Sequence, residues 1–110
     1  MHEWLWVYVN LRDLREGFER RKFEELIDDI EWFTDLSDKL LEAIETDGCV
    51  PPDNYFLSKA KNLVEGIKEG VEKRKEWYVW SDLIELDTTL RDLLLDIAEE
   101  CEKRGKEVGV

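Results

Sequence analysis

Glutamine is absent from the 110 residues, and methionine and histidine each occur once. The lone histidine, His2, leaves Ser-His-Asp and Cys-His catalysis and His-ligated metal sites without their base or ligand. The Glu-x-x-His signature of di-iron bundles is therefore missing too. Of the six glycines, Gly66 and Gly70 stand four apart inside a helical period. They read as a place of close helix packing, not as a phosphate-cradling loop. Two cysteines, Cys49 and Cys101, are too few for a disulfide scaffold and too far apart for a CxxC redox or zinc motif. No apolar run approaches the roughly 18 to 20 residues of a membrane span, and the first residues lack the apolar stretch of a signal peptide. Positive charge is short as well: 16 Lys and Arg stand against 28 Asp and Glu, a net charge of -12 that repels free nucleic acid. The expectation is a cytoplasmic chain with no membrane contact, no direct nucleic-acid ligand, no metal and no cofactor.

What is present is a core. Hydrophobic residues make up 43% of the chain, with five Trp, three Tyr and four Phe, a composition that disorder does not accompany. A charged fraction of 40% with no Gln and only three Asn points towards a thermophilic source.

The apolar period is helical. Phe23, Leu26, Ile30, Phe33, Ser37, Leu40 and Ile44 recur at steps of three and four, with only Ser37 polar. Leu57, Ala60, Val64, Ile67 and Val71 repeat the rhythm, as do Leu83, Leu86, Leu90, Leu93, Ile97 and Cys101. Asp47-Gly48 reads as a helix end, and Pro51-Pro52 as an extended loop. Asp53 or Asn54 is placed to cap the next helix, Ser81 to start the last one, and Gly105 and Gly109 to close it. Trp4, Val7, Leu11, Leu14 and Phe18 also step three and four, although the run from Trp4 to Val9 has the composition of a strand. The step of five from Phe18 to Phe23 places a turn between Gly17 and Lys22. The expected fold is all-α: one antiparallel bundle over residues 1–110, with helices at about 3–17, 22–46, 53–76 and 81–104.

Charge is unevenly spread. Residues 23–46 carry nine acids and only Lys39 as a base, a net of -8 and two thirds of the total. On a helical wheel with Ile30 facing the core, Glu24, Glu25, Asp28, Asp35 and Glu42 fall on the outside, and Trp32 lies about 200° round. An exposed Trp is unusual, because its large apolar surface normally buries. One reading is a solvated face with Trp32 covered by the N-terminal segment. The other is a binding face, with Trp32 as anchor and Glu24, Glu25, Asp28, Asp35 and Glu42 as a carboxylate rim for a basic partner. Carboxylates one helical turn apart, about 5 to 6 Å, approach the phosphate repeat of a nucleic-acid strand.

Other features compete. All-helical nucleotide pyrophosphohydrolases hold magnesium on paired carboxylates of adjacent helices. Glu25 with Asp28 has that spacing here, but Thr89 stands where an acid should precede Asp92 and Asp96. Cys49 and Cys101 fall at the same pole of an up-and-down bundle, where either a disulfide or two independent thiols fit. Trp77, Tyr78 and Trp80 read as a cap on the other pole, or as a partner patch, in the connection before Ser81. Ile84 and Leu95 widen the apolar surface of the last helix, which suits contact with the N-terminal segment or a homodimer seam. Lys59, Lys61, Lys68, Lys73, Arg74 and Lys75 read as solvated surface, or as a match for the acidic helix of a second copy. The functional expectation is a non-enzymatic acidic interaction protein that docks its second helix on a basic, nucleic-acid-binding protein. Small acidic viral inhibitors of host nucleases and CRISPR effectors have this character. The alternatives are a structural or regulatory homo-oligomer and a magnesium-dependent hydrolase.

Overall fold

The computed structural model describes residues 2–103, without the side chains of His2, Glu3 and Leu5. Arg104, Gly105 and Gly109, expected at the end of the last helix, lie outside the described residues. The described chain forms four helices and no strand: α1 (His2–Arg20), α2 (Phe23–Asp47), α3 (Tyr55–Glu72) and α4 (Glu76–Lys103).

The segment with strand-like composition lies inside α1, because burying Trp4, Val7, Leu11 and Leu14 on one side requires the helical period. Helix α1 runs three residues beyond the expected end. Gly17 does not break it; its missing side chain lets Leu26 approach, and a Cβ there would lie 2.7 Å from Leu26 Cδ2. The reversal falls at Arg21 and Lys22. Arg21 N–H donates to the Gly17 carbonyl, and Lys22 is extended.

Helix α2 buries its three-and-four stripe, and Ser37 joins the core at no unpaired cost by donating to the Phe33 carbonyl at 2.9 Å. Its end is Gly48, left-handed at φ 74°, whose N–H returns to the Ile44 carbonyl. Asn54 caps α3, its Oδ1 accepting from Leu57 N–H at 3.0 Å.

Two boundaries differ from expectation. Helix α3 stops at Glu72 and not at residue 76, and α4 begins at Glu76, five residues before Ser81. The turn needs only Lys73–Lys75, with Arg74 at φ 55° supplying the reversal. Ser81 therefore sits within α4 and caps nothing. Trp77, Tyr78 and Trp80 belong to the first turns of α4, where the buried Val79 starts the core stripe.

Each helix packs on the next, and α1 meets α4 to close a ring of four, 46 Å long. Helices α3 and α4 make the closest pair, and α1 and α4 the most open. The α3–α4 approach follows from its glycines: a Cβ on Gly70 would lie 2.7 Å from Val79 Cγ2, and one on Gly66 2.7 Å from Asp82 Oδ2. The two cysteines are bonded at the pole where α2 and α4 end, with their Cα atoms 5.2 Å apart.

Candidate partner-binding face

Helix α2 turns Ile30 fully into the core, and the 3.6-residue period carries Trp32 to the opposite side. Trp32 is 59% exposed, so α1 does not cover it. Glu24, Glu25, Asp28, Asp35 and Glu42 are exposed around and beyond it, as is Lys39.

Ion pairs divide these acids into two groups. On the flanks, carboxylates are neutralised by neighbouring elements. Arg21 Nη1 lies 3.1 Å from Asp29, and its Nε 3.8 Å from Glu25. Lys68 donates to Asp38 at 2.5 Å, a bond that raises the Lys68 pKa against the opposing effect of burial, and Lys61 pairs with Glu45. Between the flanks, Glu24, Asp28, Glu31, Asp35 and Glu42 form no ion pair among the described residues. They follow one line at steps of four, three, four and seven, about 27 Å along the helix axis. Glu31 was not among the expected site residues. Its signal was available in the sequence, since it fills the step between Asp28 and Asp35. Glu25, which was among them, is partly occupied by Arg21. The result is a line of uncompensated charge beside an exposed indole, and its self-repulsion opposes folding.

The basic residues on α3 and at its C-terminal cap pair with acids of the same chain. Lys59 reaches Glu85 at 3.0 Å, and Lys73 reaches Glu69 at 2.5 Å. At the pole formed by the α3–α4 turn, Trp77 is 73% exposed and Tyr78 also open, while Trp80 is half-buried against Phe18, ring centroids 5.0 Å apart. Only Trp80 therefore caps the core. Leu95 is 68% exposed and Ile84 less so, leaving the wide side of α4 uncovered by α1.

The paired carboxylates of the hydrolase reading do not converge. Glu25 and Asp28 face solvent from α2, whereas Asp92 and Asp96 lie on α4, across the ring, and Asp96 accepts from Asn54 Nδ2 at 3.0 Å. Among the described residues, the one group of three metal-ligating side chains with atoms in mutual reach is Asp47, Cys49 and Cys101. A groove of about 530 Å³ between α1 and α4 is lined by Tyr8, Arg12, Arg15, Asp87 and Arg91. There Asp87, almost fully buried, accepts from Arg15 at 3.2 Å and so fastens α4 to α1, and it pairs with Arg91 of its own helix at 3.3 Å. Burial, and then the Asp87 charge, push the Tyr8 hydroxyl up to about 12. Among the described residues, the groove lining holds neither a histidine nor a thiol. No family model, curated protein or solved structure matches this chain.

Proposed function

We propose that this chain is a non-enzymatic binding protein whose α2 face docks on the basic, nucleic-acid-binding surface of a partner protein, in place of the nucleic acid. The observation that carries the reading is Trp32, open to solvent beside the line Glu24, Asp28, Glu31, Asp35 and Glu42, which forms no ion pair among the described residues. An exposed indole costs a folded chain solubility, and a line of like charge costs it stability; a binding face gives both a use. The carboxylates steer and select, and the indole supplies the desolvated anchor. By size and charge the class it fits is that of the small acidic inhibitors encoded by viruses against nucleases and CRISPR effectors.

The test begins with tagged protein, capture from a lysate at low salt and elution by a salt gradient. A nucleic-acid-binding protein released at moderate salt is the expected partner, because exposed attraction is screened over about 8 to 10 Å at 0.1–0.15 M. Trp32→Ala should then weaken binding about thirtyfold or more, the loss of a hot-spot anchor of about 2 kcal/mol. The thermal midpoint should stay in place, since surface changes usually stay within about 0.5 kcal/mol. Binding indifferent to salt and to Trp32→Ala refutes the proposal. The second reading, a homo-oligomer, is favoured by Leu95 and Ile84, both exposed on the same side of α4 and about three turns apart. It predicts a solution mass above one chain that Leu95→Lys returns to one chain.

A further inference from the structure

At the pole where α2 ends, three ligand-type atoms converge. Asp47 Oδ2 lies 3.0 Å from Cys49 Sγ and 3.7 Å from Cys101 Sγ. Both cysteines are buried, and Asp47 is exposed. While the sulfurs are bonded to one another neither carries a proton, so these contacts give the carboxylate no hydrogen bond. The same contacts become favourable when the sulfurs are thiols, or thiolates that share a cation with the carboxylate. The donors also come from separately anchored elements. Asp47 and Cys49 flank Gly48 in the turn that ends α2, and Cys101 belongs to α4.

We propose that Asp47, Cys49 and Cys101 form a zinc(II) site that is closed while the cysteines are bonded and opens on reduction. A dithiol reductant transfers two hydrogens to the bonded sulfurs and becomes a cyclic disulfide, leaving Cys49 and Cys101 as thiols. Zinc(II) then releases both thiol protons to solvent and takes two thiolates and the Asp47 carboxylate. Water enters from the open Asp47 side to complete four-coordination. Zn–S bonds of about 2.3 Å and Zn–O bonds of about 2.1 Å set tetrahedral edges of about 3.6 Å from sulfur to oxygen and about 3.8 Å between sulfurs. The existing sulfur-to-carboxylate distances of 3.0 and 3.7 Å lie near the first of these, and side-chain rotation parts the sulfurs to the second. Two thiolates select zinc over magnesium and calcium, which take oxygen ligands. In a reducing compartment the pair is held open for metal; in an oxidising one it is locked as the disulfide.

The experiment uses the full chain, reduced by a dithiol that is then removed under anaerobic conditions, and titrated with cobalt(II) and then zinc(II). Expected are one cobalt per chain, a thiolate-to-cobalt charge-transfer band in the near ultraviolet, displacement by zinc, and two protons released per zinc. The oxidised chain should show no such band. Asp47→Ala should weaken zinc binding at least tenfold, and Cys49→Ser should remove at least half of the thiolate band. A reduced, helical chain with no thiolate band overturns the proposal, and so does undiminished affinity in Asp47→Ala. Should reduction cost helicity, one equivalent of zinc is expected to restore it, and failure to restore it is equally decisive against the site.

Discussion

Alanine at Gly66 and at Gly70 tests the α3–α4 contact, because the same substitution one turn apart should act with opposite sign. Both positions gain about 0.8–1.0 kcal/mol from the better helix propensity of Ala. At Gly70 the new Cβ meets Val79 Cγ2 at 2.7 Å, with the Val79 backbone nitrogen behind it at 3.7 Å. Carbon atoms pack at about 3.5–4.0 Å, so roughly 1 Å must open. Val79 is fully buried and β-branched, and its χ1 is nearly fixed in a helix, so it has nowhere to rotate. Overpacking of this kind costs about 1–3 kcal/mol and leaves Gly70→Ala about 1 kcal/mol less stable than the parent. At Gly66 the Cβ meets only the carboxylate of Asp82, Oδ2 at 2.7 Å, the far end of a half-buried side chain that can swing to solvent. Propensity prevails there, and Gly66→Ala should be up to about 1 kcal/mol more stable. The two variants thus differ by about 2 kcal/mol, or 1 to 2 M in urea midpoint followed by circular dichroism. Adding Val79→Ala to Gly70→Ala should cost less than the sum of the single changes, since it removes the clashing methyl. Equal destabilisation at both glycines, or strict additivity with Val79→Ala, refutes the packing argument.

Replacing Cys49 and Cys101 by Ala should cost about 4 kcal/mol in urea unfolding, from the loop entropy of a bridge spanning 52 residues. Asp82 is pushed above the ordinary carboxylate range by burial and then by Glu85. Its protonated form therefore favours the folded state: the contribution is present at acid pH and lost as pH rises through the folded pKa. Asp82→Asn should raise the urea midpoint at neutral pH, and the gain should fade on acidification. With the Tyr8 pKa raised from 10.0 to about 12, the native chain holds that proton more tightly than the unfolded one. Stability should fall as pH climbs through that interval, and Tyr8→Phe should remove the highest-pH step of tyrosinate absorbance.

The periodicity of apolar residues was enough to give four helices and nearly all of the core, because burial leaves a three-and-four spacing in the chain. Turns leave weaker marks. The α3–α4 reversal is made by Lys73–Lys75 with a left-handed Arg74, and carries neither Gly nor Pro. The aromatic run that follows resembled a connection, although Val79 already stood four before Leu83 in the stripe. Gly17 shows the converse: a glycine that reads as a turn is a helix-packing residue, a distinction only the partner Leu26 makes. Outward placement of Trp32 was legible because it depends on the angle from Ile30 alone. Which of the surrounding carboxylates are neutralised was not, since Arg21, Lys61 and Lys68 reach them from other elements. The convergence of Asp47 on the two sulfurs depends on the Gly48 turn meeting the end of α4, a contact between residues 54 apart.

The bridge between Cys49 and Cys101 also divides the chain into unequal parts. The covalent loop it closes contains all of α3 and α4 as far as Cys101, while α1 lies outside it and meets α4 across the open groove that Asp87 spans. Backbone amides of α3 and α4 should therefore exchange with solvent deuterium only when the whole chain unfolds. Those of α1 have a cheaper route, in which that helix alone swings away while the looped pair stays folded.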